Sequence, residues 1–285
     1  MTTMLDASLR ETYRRDGVVC VRGALDSAAL ARALAAYEWS LANPSPSANT
    51  YAGGSGRFYQ DLANRAAWPA YRELVTESPA ADHVAALWGT PDVWFMYEQV
   101  FLKEGGDTRR TPWHQDASYL PIEGDEIAVM WISFERVAQE HSLEFVRGSH
   151  RGPLYDGSRF DPADDTAPIY GDGAMPRLPD IEGERAARKQ SWDVVSFGVE
   201  PGDAIVFHPA VLHGGAATRT GVRRRTLSLR FFGADAKYAA RPGQRRTFVE
   251  EQTATSVFQL LPGVLSPGDA FRHPGFPHVR PKSAA

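Results

Sequence analysis

Beyond Pro91 the chain breaks into short runs of β-branched and aromatic residues, each fenced off by Gly, Pro or Asp. Residues 93–103, 127–134, 143–146, 194–197, 204–207 and 224–232 are such runs. Strands this short, at this spacing, bury a core only by pairing into a sandwich or a jelly roll. The pattern predicts a mainly β (α+β) fold, with helical signals concentrated in residues 1–90. There, residues 5–15 suggest a polar helix stopped by Gly17, and residues 18–21 a brief strand. Asp26 is suited to cap a helix over 27–41, where Leu30, Leu34, Tyr37 and Leu41 recur at helical spacing. Asn43-Pro44 ends that helix, and residues 44–56, rich in Pro, Ser and Gly, read as a mobile loop. Two further helices, broken at Pro79, are expected over 68–88.

The 285 residues are 43% hydrophobic and 23% charged, with a formal net charge of −4. That balance suits a globular chain and lacks the basic excess of a protein whose main partner is nucleic acid. No apolar run reaches the ~18 residues of a membrane span, and residues 1–16 lack the apolar centre of a secretory signal. The single cysteine, Cys20, excludes an intramolecular disulfide and a Cys-based zinc site. The expectation is a cytoplasmic protein with a small-molecule substrate and neither nucleic acid nor membrane as partner. Monomer and homo-oligomer are equally open. One domain is expected over 1–285: a helical part to about 90, a β core over about 91–235 and a C-terminal extension over 236–285. Residues 152–190 form an acidic, Pro/Gly-rich insertion of the length that functional lids have.

Residues i and i+2 of a strand face the same way, so His114 and Asp116 present an imidazole and a carboxylate to one point. These are two of the three ligands of the facial triad that holds non-haem Fe(II) with coordination positions left open. A second histidine from a distant strand would complete it, and His208 and His213 both follow the run 204–207. Next comes the basic stretch Arg223-Arg224-Arg225. An arginine there offers the planar fork that binds a carboxylate through two hydrogen bonds. A solvated cluster guarding a strand edge is the other reading. Arg224, Thr226, Ser228 and Arg230 share one face of the strand, and Arg225, Leu227, Leu229 and Phe231 the other. If the apolar face packs on outer helices, Arg224 faces the interior; a one-residue slip would put Arg225 there.

With these residues in this order the chain resembles the phytanoyl-CoA dioxygenase-like group of Fe(II)/2-oxoglutarate-dependent oxygenases. The resemblance runs from about residue 18 to 233 and starts from Lys103, His114-Gln115-Asp116 with Tyr119, and Trp131. It continues through Gly148-Ser149-His150, Pro201-Gly202-Asp203 and His213, and ends on Arg224, eleven residues past that histidine. It implies a double-stranded β-helix (cupin-like jelly roll) with N-terminal helices outside. It implies His114, Asp116 and His213 as metal ligands and catalytic centre, and Arg224, Gln99 and Trp131 at the co-substrate. The implied cofactors are Fe(II), 2-oxoglutarate and O2. The implied activity is a dioxygenase that hydroxylates or otherwise oxidises a small organic substrate, releasing succinate and CO2. Halogenases of this fold lack the carboxylate that Asp116 supplies, which favours hydroxylation or a related oxidation. Two departures stand out. His141-Ser142 replaces a frequent Asn-Gly, and Gly215 replaces a frequent serine, so one co-substrate hydrogen bond is missing or replaced. Phe95, Tyr97, Tyr119 and Phe145 are candidate substrate contacts, and Arg147 and His150 candidate anion contacts. A cupin-like metalloenzyme that does not use 2-oxoglutarate is the alternative; it would have no need of Arg224.

Overall fold

The structure is a computed structural model that describes residues 7–51, 54–189, 192–241 and 257–282. Helix α1 (Ala7–Asp16) stops at Gly17, which adopts a φ of +77° and starts β1 (Val18–Val21). Leu5 and Asp6 of the expected helix lie outside the described residues. The Asp26 side chain accepts a hydrogen bond from the Ala29 N–H and so caps α2 (Ser27–Ala42). Strands β2 (Asn49–Tyr51) and β3 (Arg57–Leu62) follow, then α3 (Trp68–Glu77) and α4 (Ala80–Trp88). The next elements are β4 (Val93–Glu104), β5 (Thr111–His114), β6 (Ile122–Glu123), β7 (Ile127–Ser133) and β8 (Leu143–Val146). After α5 (Ile181–Ala186) come β9 (Val194–Ser196), β10 (Ala204–Phe207), β11 (His213–Gly215) and β12 (Arg224–Phe232). Two short strands, β13 (Lys237–Tyr238) and β14 (His278–Arg280), complete the set.

The described residues form two large antiparallel sheets and a two-stranded ribbon of β6 and β13. The larger has the order β1-β10-β7-β12-β4-β3-β2, with β14 also on β4; the smaller is β5-β11-β8-β9. From β4 onward the chain passes back and forth between them: β4, β7, β10 and β12 in one, β5, the hairpin β8–β9 and β11 in the other. This winding is a double-stranded β-helix, or jelly roll.

The first 90 residues are less helical than expected. β1 extends the larger sheet at one end, and β2 and β3 extend it at the other. The supposed mobile loop over 44–56 contains β2, while Ala52 and Gly53 lie outside the described residues. Polar residues disguise β3. Its Asp61 is buried because it accepts from both the backbone N–H and the hydroxyl of Ser45. A satisfied carboxylate of this kind breaks the hydrophobic pattern without breaking the strand.

The helices cover the outer face of the larger sheet. Leu227, Leu229 and Phe231 of β12 pack there among Ala33, Tyr37, Tyr71 and Leu74. Full burial of each such aliphatic or aromatic side chain contributes about 1.5–3 kcal/mol. With its apolar face spent on the helices, β12 turns Arg224, Thr226, Ser228 and Arg230 toward a cavity between the sheets. Arg225 sits on the outer face, bonded to Glu135 at 2.6 Å. The arginine-rich strand is not an edge: β12 lies between β7 and β4.

Candidate active site

The cavity holds about 530 Å³ and is lined from both sheets. His114 ends β5 and His213 begins β11, and the two are direct cross-strand partners. Gln115 keeps the chain extended (φ −118°, ψ 122°) after β5 stops. Asp116 therefore points to the same side as His114, although it already belongs to a 3₁₀ turn over Asp116–Tyr119. Asp116 Oδ1 lies 3.4 Å from His114 Nε2 and 3.9 Å from His213 Nε2. One ligand atom from each of the three residues lies within 4.8 Å of the others.

The donor set suits a metal ion. His114 Nδ1 is 2.8 Å from the Pro112 carbonyl and His213 Nδ1 is 3.0 Å from the Val211 carbonyl. A carbonyl only accepts, so each Nδ1 carries the proton and each Nε2 turns a lone pair inward. Burial, together with the neighbouring His114, pushes His213 down to about 3, which keeps its imidazole neutral and able to ligate. Burial alone would raise the Asp116 carboxyl, but Arg230 overrides it and, with His114 and His213, holds it well below the usual range. Arg230 Nη2 donates to Asp116 Oδ2 at 2.7 Å and to Gln99 Oε1 at 2.6 Å. Asp116 thus presents Oδ1 to the histidines and keeps Oδ2 on the guanidinium. His114, Asp116 and His213 would together hold a metal ion that favours nitrogen and oxygen donors.

A second cluster in the same cavity is cationic. Arg224 and Lys103 are cross-strand partners, and both are buried. Among the described residues Arg224 donates only to carbonyls, those of His141 and Ala216 at 2.5 and 2.9 Å. Lys103 Nζ donates to the Arg109 carbonyl at 3.3 Å and sits 3.9 Å from the centre of the Phe58 ring. Among the described residues neither has a carboxylate partner. Burial pulls Arg224 down to about 10, and burial reinforced by Arg224 lowers Lys103 well below its usual range. Buried charge without a counterion is expensive, and a bound anion is the economical way to satisfy it.

Gln99 and Trp131 both line the cavity, each opposite Ser228 on β12. Gln99 also donates to Gln60 at 2.9 Å. His208 is elsewhere: its Nε2 faces the Gly124 carbonyl and its Nδ1 accepts from the Ala210 N–H, so both nitrogens are engaged. Of the candidate substrate contacts, Tyr97 and Tyr119 line the cavity. Phe95 does not; it packs outside with Trp68 and Phe231. Phe145 lies in the core, stacked 5.9 Å from the His213 ring. Arg147 faces Asp193, and His150 packs against His208. Sequence reasoning missed Tyr51, Phe58 and Gln60, which enter from β2 and β3, and Phe160, whose ring centre is 5.3 Å from that of His114. It also missed the bond from Arg230 to Asp116, although Arg230 was legible as sharing the face of Arg224.

A jelly roll with two histidines and a carboxylate converging between its sheets has the layout of the cupin-like metal-binding proteins. The family model for phytanoyl-CoA dioxygenase (PhyH) matches residues 13–226, and this chain belongs to that family. Human peroxisomal phytanoyl-CoA dioxygenase is 28% identical over 169 residues, 57% of this chain and 46% of that protein. The chain spans about half the length of the curated relatives it matches. Among solved structures, the non-heme alpha ketoglutarate dependent epimerase SnoN from nogalamycin biosynthesis is 25% identical, with a TM-score of 0.69 over 96% of this chain and 97% of that one. The carbocyclase SnoK from the same biosynthesis shares the fold at 21% identity, with a TM-score of 0.69 over 98% of both chains. No helix among the described residues is long and apolar enough to cross a membrane.

Proposed function

We propose that this chain is an Fe(II)- and 2-oxoglutarate-dependent dioxygenase that hydroxylates or otherwise oxidises a small organic substrate. His114, Asp116 and His213 hold the iron, and Arg224, with Gln99 and Trp131, binds the co-substrate. One observation carries the proposal: a buried arginine and lysine, without acidic partners among the described residues, share a cavity with a His-Asp-His cluster. Among the described residues of the lining, Lys103, Arg159, Arg224 and Arg230 face a single carboxylate, Asp116, so the cavity suits an anion. The relatives agree in kind, since SnoN has been crystallised with Fe3+ and alpha ketoglutarate.

When bound, iron and co-substrate supply the oxidation, consuming O2 and releasing succinate and CO2. The chain's own residues position and protect. Arg224 and Lys103 take the far carboxylate of 2-oxoglutarate, Arg230 fixes the orientation of Asp116, and the aromatic walls exclude water. The test is succinate formation by the purified chain with candidate substrates. It should require both Fe(II) and 2-oxoglutarate. Turnover that needs metal but ignores 2-oxoglutarate would move the site to the cupin-like metalloenzymes.

The insertion belongs to the proposal as a substrate-gating lid, with gating confined to part of it. α5 is clamped to the smaller sheet: Trp113 Nε1 donates to Glu182 at 2.7 Å, and Glu144 accepts from Arg110 and Arg185 at 2.9 and 3.2 Å. Ser158, Arg159, Phe160 and Ile169 instead line the cavity, and Phe160 holds a φ of +58°, unusual for a bulky residue. Gln190, at the expected end of the insertion, lies outside the described residues. Hydrogen exchange should slow in residues 158–169 once substrate joins metal and co-substrate, while α5 changes little. Unchanged exchange over 158–169, or normal kinetics after that turn is shortened, would remove the lid from the proposal.

A further inference from the structure

We infer that Tyr51 selects the substrate, its hydroxyl donating a hydrogen bond to an oxygen carried by a flat, unsaturated ring compound that is not attached to coenzyme A. This deepens the proposal above and rests on it. β2 pairs with β3 so that Tyr51 lies directly opposite Phe58, their ring centres 4.9 Å apart. Asn49 and Tyr51, two residues apart, share the strand face that lines the cavity. The turn over 158–169 brings Phe160 within 5.5 Å of Tyr51, centre to centre. Phe160 in turn lies 5.3 Å from the His114 ring and 6.3 Å from that of Tyr119.

The Tyr51 hydroxyl has no hydrogen-bond partner among the described residues, whereas that of Tyr119 donates to the Ser158 carbonyl at 2.9 Å. Burial, and then the charge of Asp116, push the Tyr51 phenol well above its usual range, so it keeps its proton and acts as a donor. A hydrocarbon chain bound beside it would seal this hydroxyl away from water unpaired, which is costly. A carbonyl or hydroxyl oxygen on the substrate removes that cost.

The walls favour a ring over a chain. Phe58, Tyr51, Phe160 and Tyr119 follow one another at ring-centre distances of 4.9, 5.5 and 6.3 Å. A further ring laid against them gains face and edge contacts, while an alkyl chain is rewarded by buried area alone. Coenzyme A, with its several phosphate groups, needs cations at the mouth of the cavity. Of the basic residues in the lining, Lys103, Arg224 and Arg230 are buried and Arg159 is exposed. Arg109, bonded to the Phe160 carbonyl, is already paired with Asp165, and Arg177 with Asp164. One exposed guanidinium does not serve several phosphates, so the substrate enters as the free ring compound.

The test is equilibrium binding to the full chain loaded with Mn(II) and 2-oxoglutarate, without O2, by titration calorimetry. The ring probes are 1-indanone and indane, which differ by a carbonyl in place of a methylene, and the chain probe is palmitoyl-CoA. The unaltered chain should bind 1-indanone most tightly and palmitoyl-CoA least. Tyr51→Phe should weaken 1-indanone about threefold to tenfold, the size of one neutral hydrogen bond, and leave indane and 2-oxoglutarate binding unchanged. Phe160→Leu should weaken both ring probes alike, by about twofold to tenfold, and checks the ring wall where the tyrosine variant does not fold. Equal weakening of 1-indanone and indane in Tyr51→Phe overturns the role of the hydroxyl. Preference for palmitoyl-CoA, or no binding of 1-indanone by a chain that binds 2-oxoglutarate, overturns the ring class. A chain that separates the ring probes through Tyr51 but does not take up 2-oxoglutarate overturns the co-substrate proposal alone.

Discussion

His213→Ala is expected to leave a folded chain that no longer retains iron and no longer turns over. His114→Ala and Asp116→Ala should do the same. Each change removes one of three donors, so the loss should exceed the 10–100-fold that altering a merely supporting residue costs a metal site. The fold should survive, because the cluster sits at the ends of short strands while the core lies between β12 and the helices. The informative control is His208→Ala. Both of its ring nitrogens are bonded to the backbone, so its loss should cost about 1–3 kcal/mol of stability and leave metal content unchanged. Metal content by mass spectrometry, alongside thermal unfolding of each variant, separates the two effects. Iron retained in His213→Ala but lost in His208→Ala would make His208 the distal ligand.

The parts of this molecule that were legible in the sequence are those where one local rule dominates. β8, β10 and β12 coincide with apolar or alternating runs, and α2 with a capped helical repeat. Alternation along β12 separated Arg224 from Arg225 because that strand is regular over its first seven residues; its register shifts only between Arg230 and Phe231. Where pairing overrides propensity, the sequence is silent. β11 is His213-Gly214-Gly215, a composition no strand rule selects, and it is held in place by β5 and β8 on either side.

β2 and β3 were hidden in the same way, and with them the wall of the cavity formed by Tyr51, Phe58 and Gln60. The spacing of His114 and Asp116 was readable although the strand ends between them, because two residues of extended backbone suffice. The bulge between β5 and β11 was not, since it exists only as a mismatch between two strands. Arg230 is intermediate. Its face follows from parity, but its bond to Asp116 depends on how the two sheets close on each other.

Arg224 should then govern the co-substrate and little else. Its guanidinium is buried, bonded to the carbonyls of His141 and Ala216 and pulled down to about 10 by burial, so it stays charged at neutral pH and attracts an anion. Removing the guanidinium leaves the far carboxylate of 2-oxoglutarate buried against Lys103 alone. Breaking a buried pair by deleting one partner costs roughly 3–5 kcal/mol. That corresponds to a rise of about a hundredfold to a few thousandfold in the 2-oxoglutarate needed for half-maximal rate. Iron content should stay near that of the unaltered chain, because Arg224 touches none of His114, Asp116 and His213. Arg224→Lys should recover only part of the loss, since a point charge cannot reproduce the planar fork. Arg225→Ala is the counter-test. Arg225 is engaged with Glu135 on the far face of the same strand, so its removal should lower the unfolding temperature slightly and leave the 2-oxoglutarate requirement unchanged. Should the requirement rise in Arg225→Ala and hold steady in Arg224→Ala, the cavity-facing side of β12 would be the opposite one, and the assignment of every residue along it would shift by one.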